Sequence, residues 1–433
     1  MGKKNGAELA PQYLELLERS KRAADDAFKL TSALKNQVLA DLSDSILKNQ
    51  SQILAANRQD LLNLDSSQTQ AFRDRLTLNE NRLRSMVESL RQVILLNDPV
   101  GELVLRGELK NGLKWRQQRA PLGVVFLIYE SRPNVAIEAF SIALKSSNAL
   151  ILKGGKEARH TASCLYNLIT DAQKKNGISA DFCQGIVDID RADIAKLLKQ
   201  SQYIDVVIPR GGDQLIEFVT EHSRIPVIKN DRGLCHIYVD ESADIEMATA
   251  IIDNAKTQRP GVCNAVETLL IHQSVASPLI ESLADRFSKK NIEVRACSSA
   301  KELIQACMKR RSLSFKVTEA TEQDWDTEHL DLILNCKIVD AFDDALAHIR
   351  AHGSRHSEAI VTASEQRAQK FLQQVDAAAT YWNASTRFTD GFELGLGAEI
   401  GISTQKLHVR GPVGVRELTS VRWVLEGTGQ VRS

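Results

Sequence analysis

From Pro121 onward the chain settles into a rhythm that admits few folds. Val124–Tyr129 reads as a strand, and Ser131 caps a helix with Pro133 in its first turn, running to about Lys145. Asn148–Leu152, Gly185–Asp188, Ile204–Ile208 and Pro226–Lys229 follow as strands, with helices at Glu157–Lys174, after Asp190, and at Gln214–His222. Short apolar runs alternating with helices predict a parallel sheet covered on both faces, joined by right-handed crossovers. The rhythm resumes later: strands at Glu267–His272, Ile292–Ala296, Leu330–Val339 and Glu358–Thr362, helices at Ser277–Lys289, Ala345–Ala351 and Glu365–Val375. A chain of 433 residues is too long for one core and suits two or three domains, and the two alternating stretches are expected to form doubly wound α/β domains.

Before this rhythm, residues 7 to about 95 read as helical, with Leu30, Leu34, Val38, Leu42 and Ile46 along one face. Residues 102–119 alternate around Lys110-Asn111-Gly112, and Asn-Gly between apolar runs is a strong hairpin signal. A lone hairpin is marginal in water, so it needs a further strand; Val421–Leu425 is a candidate, and with Trp115 it is a candidate subunit contact.

Three turns of the first α/β region follow strands and open helices: Glu130–Asn134, Lys153–Lys156 and Arg210–Gly212. Each joins glycine or a helix N-terminus to a cation, which suits an anion at the carboxyl end of a strand. Neither the Rossmann nor the Walker glycine pattern is present.

The most pointed chemistry lies at Gln258–Asn264. A helix over Asp244–Lys256 is stopped by Pro260-Gly261, and a strand begins at Glu267, so Cys263 sits on a short connection between ordered elements. An unpaired cysteine is commonly a small buried hydrophobe. Here Lys256 and Arg259 add positive charge, which favours a thiolate nucleophile. Arg387, in the glycine-studded stretch 381–403, is either a fork for a carboxylate or a surface arginine.

Composition narrows the setting. Lys+Arg and Asp+Glu are both 55, which argues against nucleic acid or an anionic membrane as the main partner. Seven cysteines, an odd count without C-x-x-C, fit a reducing compartment; no zinc-ligand spacing, membrane-length apolar run or leader-like start appears, so a cytoplasmic protein without a metal is expected.

With these residues laid out, the chain resembles the gamma-glutamyl phosphate reductase branch of the aldehyde dehydrogenase superfamily. The resemblance is carried by Pro121–Val125 with Tyr129–Val135, by Ala149–Ala158, Ile208–Gly212 and His236–Asp240, and by Arg259–Leu270 and Trp382–Gly414. It implies an aldehyde dehydrogenase-like fold: a cofactor-binding domain (1–105 and 120–233), a catalytic domain (234–420) and a β-hairpin oligomerisation element (106–119 and 421–433). It implies that Cys263 attacks L-glutamyl 5-phosphate, that NADPH reduces the resulting thioester, and that the product is glutamate 5-semialdehyde, in proline biosynthesis. Lys153 matches the lysine that holds the adenosine ribose, Gly211 and Gly212 the pyrophosphate-side turn, and Glu328 falls near a glutamate that holds the nicotinamide ribose. Arg132 and Asn134 are assigned to the substrate phosphate and oxyanion, and Arg387 and Asn264 to substrate binding. A homo-oligomer is implied. So is a separate glutamate 5-kinase, since the stretch ahead is too short to hold one.

One departure separates this branch from hydrolytic aldehyde dehydrogenases. Those carry a water-activating glutamate in Glu-Leu-Gly-Gly; here the place reads Asn230-Asp231-Arg232-Gly233, leaving Asp231 as the alternative base. A hydrolytic aldehyde dehydrogenase and a non-catalytic scaffold are the competing readings.

Overall fold

The computed structural model describes residues 9–65, 68–229 and 232–432. The chain divides into two compact units, Met1–Asn230 with Gly395–Gly401 and Gln405–Ser433, and Asp231–Leu394 with Ile402–Thr404. The stretch 405–420, expected in the catalytic domain, groups with the first unit, and so do the hairpin and tail, expected to stand apart.

The first unit holds two sheets. β1 (Leu103–Glu108), β2 (Lys114–Pro121) and a strand near the C-terminus (Thr419–Glu426) form an antiparallel sheet in which the terminal strand pairs with β2 along its whole length. The hairpin thus finds its third strand in the tail, as the sequence suggested. β3 (Val124–Tyr129), β4 (Ala149–Lys153), β5 (Cys183–Ile186) and β6 (Val206–Arg210) form a parallel sheet in the order β5-β4-β3-β6. Every residue of β3 is buried, because helices cover both faces. One core gathers Val125, Leu127 and Phe140 with the N-terminal helices through Val38 and Leu42; the other gathers Phe126, Ile128 and Val207 with Leu17 and Phe218. Alternate β3 residues therefore feed opposite cores, as period 2 requires.

Two expectations need correction here. Pro226–Lys229 is not a strand: Val227 makes a single bridge to Val207, and Pro226 has no N–H to extend the ladder. The helix after β3 begins at Val135, not at Ser131. Ser131 takes a left-handed φ of 47° and donates its N–H to Glu157 (2.8 Å), so the chain bends once more before the helix starts.

The second unit is a parallel sheet of seven strands: β7 (Cys235–Val239), β8 (Val266–His272), β9 (Glu293–Ala296), β10 (Val317–Glu319), β11 (Ile333–Val339), β12 (Ser357–Val361) and β13 (Ala379–Trp382). Their order is β10-β9-β11-β8-β7-β12-β13. Two cores again lie on opposite faces, one around Ile237, Leu269 and Leu283, the other around Tyr238, Leu270 and Phe371. Among the described residues no helix is long and apolar enough to cross a membrane.

Candidate active site

In the second unit, the helix Ile245–Thr257 is opened by Asp244, whose carboxylate accepts from Met247 N (2.7 Å), and buries Ala248, Ile252 and Ala255. Pro260 cannot continue it, and the chain turns before β8: Ala265 N donates to Val262 O (3.0 Å), so Cys263 and Asn264 occupy the middle of a tight turn. None of the seven cysteines forms a disulfide; five are buried, whereas Cys263 and Cys297 are partly exposed.

The turn is held from several sides. Thr386 Oγ1 donates to Asn264 O (2.7 Å), and Asn264 Nδ2 donates to the carbonyls of Thr389 (2.8 Å) and Arg387 (3.3 Å). The segment 383–390 therefore clasps the cysteine turn. Cys235 Sγ donates to Cys263 O (3.2 Å), and burial pushes the Cys235 thiol well up, keeping it a donor. Gly233 lies against the same carbonyl so closely that a Cβ there would land on it, while Gly233 N donates to Glu328 Oε1 (2.9 Å). Arg387 Nε donates to Gln258 Oε1 (2.9 Å). Burial lowers the Arg387 guanidinium and Asp390 opposes it; the Arg259 charge lowers it further and the Cys263 sulfur raises it. Positive charge near the sulfur thus comes from Arg387, with the Arg259 charge close to that guanidinium. The expected contribution of Lys256 is spent elsewhere: its ammonium is fully buried on Glu267 (3.0 Å).

In the first unit, Lys153 ends β4 with its ammonium turned onto Gly154 O, and burial pushes it below the usual lysine range. It lines a cavity of about 270 Å³ with Glu130, Lys156, Arg191 and Phe218. The Arg191 guanidinium stacks on the Phe218 ring (4.3 Å). Gly212 caps the helix Asp213–His222, and a Cβ there would meet nothing within 4 Å. Its N–H donates to Glu130 Oε2 (3.1 Å), a carboxyl raised by burial. Open space at a glycine-capped helix N-terminus, with Lys153, Lys156 and Arg191 near, suits the phosphates of a dinucleotide. A second hollow of about 580 Å³ runs along the three-stranded sheet past Leu103, Trp115 and Val424; it holds no nucleophile and belongs to that sheet's surface.

The model of the aldehyde dehydrogenase family matches residues 11–301. The gamma-glutamyl phosphate reductase of Clostridium kluyveri is 47% identical over 420 residues, covering 97% of this chain and 98% of its own. That of Clostridium tetani is 45% identical over 421 residues, covering 96% and 98%. The crystal structure of the Thermotoga maritima gamma-glutamyl phosphate reductase superposes with a TM-score of 0.91 at 40% identity, covering 97% of this chain and 99% of that one. The chain belongs to the gamma-glutamyl phosphate reductase family. Members of this family are oxidoreductases of the aldehyde dehydrogenase fold. At 16% identity and a TM-score of 0.70, an acetylating aldehyde dehydrogenase from Geobacillus thermoglucosidasius shares that fold.

Set in this family, the expected site residues fall into two groups. Cys263, Asn264, Arg387 and Glu328 come together in the second unit. Asn264 is only 3% exposed and its amide is committed to the clasp, so it holds the turn and has no donor left for substrate. Glu328, expected at the nicotinamide ribose, braces Gly233 with one carboxylate oxygen. Lys153, Gly211 and Gly212 stand at strand ends of the first unit, as do the half-buried Arg132 and Asn134, whose amide donates to Glu138 Oε1 (2.8 Å). Asn230 and Asp231, where a water-activating base was weighed, lie outside the described residues. The sequence reading missed Thr386, Gly233 and Glu267. Glu267 left a signal: a carboxylate inside the apolar run Val266–Ile271 requires a buried partner.

Proposed function

We propose that Cys263 carries the glutamyl group as a thioester between release of phosphate and reduction by NADPH. The overall reaction follows from family membership: L-glutamyl 5-phosphate is reduced to glutamate 5-semialdehyde in proline biosynthesis, with a nicotinamide cofactor. The observation that carries the thioester reading is a partly exposed Cys263 on a turn fixed through both backbone and side chain.

In this reading the Cys263 thiolate adds to the acyl carbon of the glutamyl phosphate. The oxyanion that forms accepts from the Cys263 N–H. The C–O bond to phosphate breaks, phosphate leaves with its electron pair, and the glutamyl thioester remains on Cys263. Arg387, with Arg259, meets the substrate's anionic groups as it arrives; Arg132 and Asn134 are assigned to the phosphate and oxyanion. When bound, the nicotinamide supplies the hydride. Cys263 then leaves the thiohemiacetal carbon as thiolate, and the aldehyde is released. Lys153, Lys156 and Arg191 fit the adenosine end of the cofactor and the additional phosphate of NADPH. The absence of a glutamate at 230–233 keeps the thioester from activated water, which separates this reading from a hydrolytic dehydrogenase.

The test is NADPH oxidation with glutamyl phosphate generated in situ, with and without prior thiol alkylation. Alkylation is expected to abolish turnover, and phosphate is expected to be required for oxidation of the semialdehyde in reverse. Oxidation without phosphate would favour hydrolysis and overturn the reading.

We also infer a homo-oligomer built on the three-stranded sheet, where Leu105, Trp423 and Leu425 are exposed and the rings of Trp115 and Trp423 lie 5.1 Å apart. Sedimentation at micromolar concentration tests it: a monomer would remove it. A separate kinase supplies the acyl phosphate, in the cytoplasm.

A further inference from the structure

The connection that carries Cys263 is closed at its base by a buried ion pair. Lys256 lies in the last turn of the helix Ile245–Thr257, and Glu267 is the second residue of β8, so the two flank the 258–265 segment. Lys256 Nζ lies 3.0 Å from Glu267 Oε2 and donates to Val266 O (3.0 Å); Glu267 Oε1 accepts from Leu330 N (3.3 Å). The side chains are 0% and 1% exposed. Burial pushes Lys256 down and Glu267 up to about 7, the signature of charges held away from water. Burying two charges is unfavourable, and apolar residues of similar volume commonly stabilise as well or better. The pair therefore calls for a reason beyond stability. Of the other ties described above, most act on Asn264 and on the Cys263 carbonyl, and Arg387 holds Gln258 from outside the connection; none of them joins the last turn of the helix directly to β8. The ion pair does.

We propose that Lys256 and Glu267 form a positioning pair that sets the direction of the Cys263 sulfur for attack on the acyl phosphate. This rests on the Cys263 thioester reading. Neither residue touches substrate; both act through the two ends of the connection. A misplacement of the reacting atom by about 1 Å lowers a rate by about 100-fold.

The test compares wild type, Cys263→Ala, Glu267→Gln and the double variant Lys256→Met with Glu267→Leu. Four quantities are measured: the melting temperature, the burst of phosphate released from glutamyl phosphate without NADPH, the KM for NADPH, and the rate of Cys263 alkylation by iodoacetamide. The double variant is expected to melt within about 3 °C of wild type, since no charge is left alone. Its phosphate burst is expected to slow by at least about 10-fold, while alkylation by the small reagent, which tolerates many approach directions, changes by less than about threefold. The KM for NADPH is expected to stay the same. A folded double variant with a wild-type burst rate overturns the proposal, as does a burst that slows only in step with alkylation. If the double variant does not fold, Glu267→Gln is judged by the same comparison; if neither folds, the pair is a structural requirement and the positioning role is rejected. A wild-type enzyme that shows no burst, or a Cys263→Ala enzyme that retains one, sinks the thioester reading itself, whatever the other variants do.

Discussion

The two α/β units place their chemistry at opposite ends of their strands. In the first, Glu130, Lys153 and Gly211-Gly212 follow β3, β4 and β6, at carboxyl ends. Backbone alone supplies much of what an anion needs there: a helix N-terminus offers N–H groups and a favourable dipole. In the second, Cys263 precedes β8, at an amino end, just past the C-terminus of a helix. A helix end of that kind presents carbonyls, which do nothing for a thiolate. Side chains make up the difference: Arg387 and Arg259 bring charge, and Thr386, Asn264, Cys235 and the Lys256–Glu267 pair bring rigidity. The turns of the first unit are generic and open; the cysteine turn is particular and tightly tied.

The sharpest way to break this contrast is Cys263→Ala. It is expected to lower turnover by at least about 10³-fold, as loss of a nucleophile does, while the melting temperature and NADPH affinity stay the same. Weakened NADPH binding in this variant would show that the two kinds of site are not separable. Next comes a pair of glycine substitutions. Gly233→Ala puts a methyl onto the Cys263 carbonyl, where backbone has to yield, and is expected to destabilise by about 3 kcal/mol. Gly212→Ala enters open space, so its stability should be unchanged while the KM for NADPH rises by about 10-fold, since the methyl fills the approach to a helix N-terminus. Calorimetry and steady-state kinetics on both distinguish a packed glycine from an access glycine; equal behaviour would erase the distinction.

Acid offers a third probe, directed at the second unit. His348 packs edge-on against Trp325 and accepts from Lys337 Nζ (3.2 Å); burial, then the neighbouring His236, Lys337 and His352, push it down to about 2. Its folded value is depressed below the ordinary 6.5, so the unfolded chain binds the proton and the folded one does not. Its contribution is therefore complete above pH 6.5 and is lost as pH falls from there toward 2. Between pH 7 and pH 5 the loss is about 2 kcal/mol. His348→Leu should remove that share of the acid sensitivity in urea titrations at the two pH values; an unchanged pH slope would show that His348 accepts a proton without unfolding. The smallest effect is expected of Thr386→Val, which deletes one hydrogen bond to Asn264 O and should lower stability by about 1 kcal/mol with a larger proportional loss in the phosphate burst than in NADPH binding.

Much of the fold was legible because strand and helix periods differ. β3, β4, β8 and β12 were all found as apolar runs, and each is buried or nearly so along its length. The helix Ser298–Arg311 escaped because it buries only a narrow face, Ala300, Ile304 and Cys307, among polar residues. β7 escaped as an element although Cys235–Val239 is entirely buried, since the glycine-containing stretch before it blurs its start. At the site, the cysteine was legible from Pro260-Gly261 and the strand that follows. Its surroundings were not, because Thr386, Gly233 and the first residue of β7, Cys235, are distant in sequence and reach Cys263 and Asn264 only in three dimensions.

The antiparallel sheet carries a consequence for how the molecule is made. Arg119 donates to Thr419 Oγ1 (2.9 Å) across 300 positions of sequence, and β2 is flanked on that side only by the last strand of the chain. The first unit thus cannot complete this sheet until Thr419–Glu426 has been made, whereas the second unit draws on nothing beyond Thr404. Birth order and completion order are reversed, and a nascent chain arrested between residues 404 and 419 would hold a finished second unit and an unfinished first one.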